Sequence, residues 1–202
     1  MANKQDFIEK ELSWLSFNER VLQEAADANV PVVERVRFLG IYSNNMDEFF
    51  RVRYSFIRRL KLSGVDEQDA HLEGYSPGEL LKIVSEMVTD QQRRSQEIYD
   101  RLQNELKKHE IEVIDEKSLT KKQSEFIKEF YKTKISPALT TLMLKQTREF
   151  PYLRDKSIFL ALRLVRGKQE EYSLIEVPSG VLGRFIVLPR YGRQFIMYMD
   201  DV

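Results

Sequence analysis

The chain has 202 residues, 42% of them hydrophobic and 11% aromatic, which is enough apolar area for a packed core and excludes a disordered chain. Lysine plus arginine and aspartate plus glutamate each total 32, so the formal net charge is zero and no overall field recruits nucleic acid or anionic lipid. Cysteine is absent, which excludes disulfides and thiolate metal sites; no export signal stands at Met1–Lys10, and no apolar run reaches the ~20 residues a bilayer requires. These features predict a soluble chain suited to a reducing compartment.

Taken in chain order, Leu12, Leu15, Val21, Leu22 and Ala25 recur mostly at three- and four-residue steps, predicting an amphipathic helix capped by Ser13 or Ser16. Ala28-Asn29-Val30-Pro31 interrupts that pattern, and Val33, Val36, Leu39 and Tyr42 predict a second helix. The polar triplet Ser43-Asn44-Asn45 reads as a break before a third helix that carries Met46, Phe49, Phe50, Phe56, Ile57 and Leu60. Ser63 to Tyr75 is polar and reads as a loop. Ser76-Pro77-Gly78-Glu79 is a helix start, opening a long helix through Leu80, Val84, Met87, Gln91, Ile98, Leu102 and Leu106 to about Lys108.

Beyond Glu110 the periodicity changes. Ile111-Glu112-Val113-Ile114 predicts a short strand, and Thr120 to Gln123 a capping box for a helix through Phe126, Ile127, Phe130 and Tyr131. After Pro137, strand-like runs occupy 157–165, 171–177, 184–188 and 194–199, with a hairpin turn at Arg166-Gly167-Lys168-Gln169. The expected fold class is therefore α+β: a helical domain over residues 1–107, then an α+β domain containing antiparallel strands over 108–202. The chain ends at Asp200-Asp201-Val202, directly after the last of these strands, and we expect it to be cut there within a larger domain.

Chemistry-bearing patterns are few. The two histidines, His71 and His109, stand in polar contexts away from any nucleophile, and no phosphate-binding glycine loop or metalloprotease helix occurs. Asp47 and Glu48, and Asp200 and Asp201, are neighbours whose side chains diverge by ~100° on a helix, so neither forms a paired acid–base site alone. Arg51, Arg53, Arg58, Arg59 and Lys61 offer a polyanion surface, but they also suit the outer face of a helix with a buried aromatic side. No catalytic residue and no metal ligand is assigned. In the segment Arg35–Arg53, Asn44 or Asn45 reads first as a helix cap; an amide also matches the donor and acceptor of an adenine edge.

The strings ELSWLSFNERVLQEA (Glu11–Ala25) and RVRFLGIYSNNMDEFFRVR (Arg35–Arg53) resemble the opening of bacterial polyphosphate kinases of the long-chain, histidine-phosphorylating type. The likeness continues through the Ser76 helix, Ile111-Glu112-Val113, Ile135-Ser136-Pro137, Phe150-Pro151-Tyr152-Leu153 and Leu174–Pro178; Ala138–Glu149 fits it least. The resemblance implies an N-terminal helical domain and part of a head domain, truncated at its C-terminus. For an intact protein it implies reversible transfer of the ATP γ-phosphate to polyphosphate through a phosphohistidine, with Mg²⁺, in the cytoplasm. The catalytic histidines and Mg²⁺ ligands would lie outside this segment. Within it, the resemblance implies that Asn45 contacts the ATP adenine, and that the chain makes subunit contacts in a homo-oligomer while being inactive alone. The alternative is a non-catalytic helical binding or scaffold module docking through the Arg51–Lys61 face.

Overall fold

The computed structural model describes residues 8–64, 72, 74–144, 150–190 and 192–202. Its contacts divide the chain into two compact units, Met1–Leu106 and Lys107–Val202.

In the first unit, α1 spans Lys10–Ala26 and is capped by the Glu9 carboxylate, which accepts from the N–H groups of Glu11 and Leu12. The cap is thus an acid at the positive end of the helix, not either serine. Ser16 turns its hydroxyl back to the Leu12 carbonyl. Pro31 ends the connection, and α2 runs Val32–Phe49. The expected break at Ser43-Asn44-Asn45 does not exist. The triplet lies inside α2, because Leu39, Tyr42, Met46 and Phe49 keep the helical period through it; Tyr42, Met46 and Phe49 are buried. After Phe49 the chain continues through a π-helical segment, Phe50–Tyr54, in which the N–H of Ser55 donates to the carbonyl of Phe50, into α3, Ser55–Ser63. Gly64 closes α3 in the left-handed region at φ 65°, a conformation that needs no Cβ penalty only for glycine. The expected loop after Ser63 lies largely outside the described residues, as does His71.

The long helix α4, Pro77–Lys108, starts as the sequence predicts: the Ser76 N–H and hydroxyl donate to Glu79, and the Glu79 N–H donates back to Ser76 Oγ. Leu80, Val84, Val88, Ile98 and Leu102 pack with Leu15, Leu22, Ala25, Tyr42, Met46, Phe49 and Ile57 in one core. Arg35, 6% exposed, crosses that core's end, donating to the Ala25 carbonyl at 3.0 Å and to Glu105 at 2.7 Å.

In the second unit, β1 (Ile111–Val113), β5 (Phe185–Val187) and β6 (Gln194–Tyr198) form a sheet in the order β1-β6-β5, with β1 parallel and β5 antiparallel to β6. An antiparallel sheet, β2-β4-β3, joins Thr140–Leu144, Gln169–Glu176 and Phe159–Arg166. The hairpin turn lies where predicted, with Arg166 paired to Gln169. Helix α5, Lys121–Phe130, carries the predicted Thr120–Gln123 capping box and passes through a second π-helical segment, Tyr131–Ile135, into α6, Ser136–Ala138. A short α7, Ser179–Leu182, precedes β5. Ile114, Ile127, Ile135, Val177, Ile186, Leu188, Met197 and Met199 form this unit's core. The fold class is α+β. No helix among the described residues is long and apolar enough to cross a membrane.

Candidate functional site

The W-x-x-F-N spacing of α1 puts Trp14, Phe17 and Asn18 on neighbouring positions of one helix face. Helix α2 and the π-helical segment bring Asn45, Glu48, Phe49, Val52 and Arg53 opposite them. Together, Trp14, Phe17, Asn45, Glu48, Phe49, Val52 and Arg53 line a cavity of about 240 Å³. That is below the ~300–1,000 Å³ of drug-sized ligand pockets and matches one planar group better than a whole nucleotide.

Its wall is aromatic. Trp14 stacks on the fully buried Phe49 with ring centroids 5.1 Å apart and planes 22° from parallel; Phe50 meets Phe49 edge-on at 6.0 Å. The Arg53 guanidinium lies 5.9 Å from the Trp14 ring centroid and donates to Glu11 at 2.8 Å. Glu11 is 2% exposed, so this pair neutralises an otherwise costly buried carboxylate while fixing the cation at the cavity's edge. Phe17 and Val52 are 61% and 56% exposed, an apolar rim of the kind on which a flat ring settles.

Asn45 is half-buried in the interior of α2, so it is not a helix cap. Its Nδ2 donates to Oδ1 of Asn18 at 2.9 Å, and Asn18, fully buried, donates through its own Nδ2 to the Tyr42 carbonyl at 3.4 Å. The Tyr42 side chain is buried, and burial pushes its hydroxyl up to about 12.

The remaining sequence candidates are dispersed. Asp47 pairs with Arg51 at 2.6 Å along the helix, whereas its neighbour Glu48, exposed, lines the cavity. Arg53 is committed to Glu11, and Arg58, Arg59 and Lys61 lie exposed on α3. Asp200 faces Arg184 at 3.6 Å; the Asp201 carboxyl is pushed up by burial and then by Asp200 beside it. His109 is exposed in the turn after α4. Among the described residues no group of three or more His, Cys, Asp or Glu side chains is placed to hold a metal ion. Trp14, Phe17 and Asn18 were not singled out by sequence; the signal that points to them is their i, i+3, i+4 spacing beside the Asn45 helix.

Stacking rings, a paired guanidinium and an amide edge line this cavity, without a nucleophile beside a base, on an α+β scaffold: chemistry suited to holding a planar group and not to transforming it. Comparison with known proteins supplies the family. A family model described as the polyphosphate kinase N-terminal domain matches residues 7–114, and one described as the polyphosphate kinase middle domain matches residues 122–202. The chain is 38% identical over 210 residues to the polyphosphate kinase of Vibrio vulnificus strain YJ016, covering 100% of this chain and 29% of that relative. It is also 38% identical over 194 residues to that of Escherichia coli strain K12, covering 94% of this chain and 27% of the relative. The crystal structure of polyphosphate kinase from Porphyromonas gingivalis superposes with a TM-score of 0.79 at 28% identity, over 96% of this chain and 29% of that one. The chain belongs to the polyphosphate kinase family. It spans between a quarter and a third of the length of these relatives.

Proposed function

We propose that this chain is the N-terminal helical domain and part of the head domain of a polyphosphate kinase, and that it supplies adenine recognition through Asn45. The intact protein would reversibly move the ATP γ-phosphate to polyphosphate through a phosphohistidine in the cytoplasm. Family membership supports the reaction class. The observation that carries the role of this part is the placement of Asn45: an amide in mid-helix, on the wall of a stacking cavity. A purine ring between the Trp14–Phe49 pair and the Phe17 rim would bring its polar edge to that amide, and Arg53 would stand at the edge of the stack. Mg²⁺ would arrive with the nucleotide's phosphates; no residue of this chain is assigned to it.

Contacts to the base alone leave the triphosphate unclamped, so affinity should be weak, on the order of millimolar. The chain by itself should release no phosphate from ATP. The homo-oligomeric state belongs to the same proposal, with this chain contributing subunit contacts. The test is an NMR titration of the chain with ATP and Mg²⁺. Saturable shifts confined to the cavity residues and lost in Asn45→Ala support the reading, and an Asn45→Ala titration indistinguishable from the unmodified chain overturns it.

A further inference from the structure

Asn45 recognises a base only if its amide faces the right way round, since oxygen and nitrogen differ little in shape but are opposite in hydrogen-bonding sense. The surroundings of Asn45 fix that choice in two steps. A main-chain carbonyl can only accept, so the Tyr42 carbonyl obliges the fully buried Asn18 to turn its Nδ2 inward. Asn18 Oδ1 is thereby left facing Asn45, and an oxygen there obliges Asn45 to answer with Nδ2, at 2.9 Å. Among the described residues nothing donates to Asn45 Oδ1, so the acceptor and the second N–H remain for the cavity that Asn45 lines.

We infer that Asn18 is the positioning residue that sets the sense of the Asn45 amide and makes the site select a 6-amino purine over a 6-oxo purine. This rests on Asn45 being the base contact. On the edge formed by N1 and the 6-substituent, adenine offers a 6-amino donor beside the acceptor N1, whereas hypoxanthine offers an acceptor O6 beside the donor N1–H, so the two senses are reversed. A free amide would rotate by half a turn and satisfy either base. An amide locked by Asn18 satisfies one. Asn18 touches no ligand in this scheme; it acts through Asn45 and does not line the cavity.

The experiment titrates ATP and inosine triphosphate separately into the unmodified chain, Asn18→Ala and Asn45→Ala, following cavity resonances and recording a thermal melt for each. The unmodified chain should prefer ATP by about tenfold or more, within the range of one good bidentate base contact. In Asn18→Ala the preference should fall to near unity while binding of both nucleotides persists. A merely structural Asn18 would weaken both nucleotides alike and leave the ratio intact, which overturns the inference. If Asn45→Ala leaves ATP binding unchanged, the base-contact reading itself fails; if Asn45→Ala weakens ATP and Asn18→Ala keeps the ratio, only the role of Asn18 fails. Should Asn18→Ala not fold, ¹⁵N relaxation of the unmodified, nucleotide-free chain decides. An Asn45 side-chain order parameter near the ~0.85 of rigid backbone supports a locked amide, and one below about 0.6 overturns it.

Discussion

Phe49 holds two roles in one side chain: it is fully buried in the helical core and forms the cavity's inner wall by stacking on Trp14. Phe49→Ala should therefore destabilise the first unit by about 3–5 kcal/mol in urea denaturation, the usual cost of emptying a buried aromatic site. In the remaining folded fraction the ATP-dependent shifts should vanish with the stacking wall. Asn45 shows how far single residues were legible. Sequence picked it out, yet local reasoning favoured a helix cap, because Ser43-Asn44-Asn45 looks like punctuation between apolar runs. The corrective signal was present: Leu39, Tyr42, Met46 and Phe49 step by three and four straight through the triplet. The helical spacing marks Asn18 as a neighbour of Trp14 and Phe17, but its contact with Asn45 could not be read, because it spans 27 positions of sequence and depends on how α1 lies against α2.

Elements whose signals are local were readable, and those set by geometry alone were not. Both capping boxes, at Ser76 and Thr120, occur as the residues predict, because a cap needs only a hydroxyl and a carboxylate or amide three positions on. Thr120→Ala should cost about 1 kcal/mol of stability in the second unit, and Thr120→Ser should restore most of it. Strand β2 escaped because its residues, TTLML, carry little alternation and are almost wholly exposed. The π-helical segments left no mark either, since an extra residue in a turn has no compositional signature. The β2-β4-β3 sheet has β2 and β3 at its edges, with Leu142, Met143, Leu164, Val165 and Tyr172 exposed, the combination that invites strand pairing between molecules. Val165, 59% exposed, stands opposite Glu170. Glu170 already pairs with Arg163, and Val165→Lys would share that carboxylate; the charge added at the edge should lower concentration-dependent association in sedimentation velocity without lowering the melting temperature.

At the scale of the whole molecule, zero net charge hides a directional response to acid. Glu79 is held below its ordinary value by the Ser76 backbone N–H, Asp90 by Arg93, Asp115 by the Ser118 hydroxyl, and Glu176 by Arg154. Each binds fewer protons folded than unfolded, so its contribution is present above the ordinary carboxylate values and is lost as pH falls through the lowered folded ones. Glu9 and Asp201, raised by burial, act in the opposite sense and soften the decline. Thermal melts should be flat near neutrality and fall below about pH 4, where unfolded carboxylates begin to protonate. The π-helical turn at Phe50–Tyr54 also bears on which changes of length the gene can carry. An α-helix that loses one codon rotates everything after it by about 100°. A turn already one residue too wide absorbs the same loss by tightening to ordinary pitch. Removing Val52 should leave Ile57 facing the core and the chain folded, with the cavity narrowed, whereas removing Thr89 from α4 should swing Ile98 and Leu102 into solvent. This helical unit thus carries, beside the aromatic cavity, the place where a length change is least costly to the fold and most consequential for the shape of that cavity.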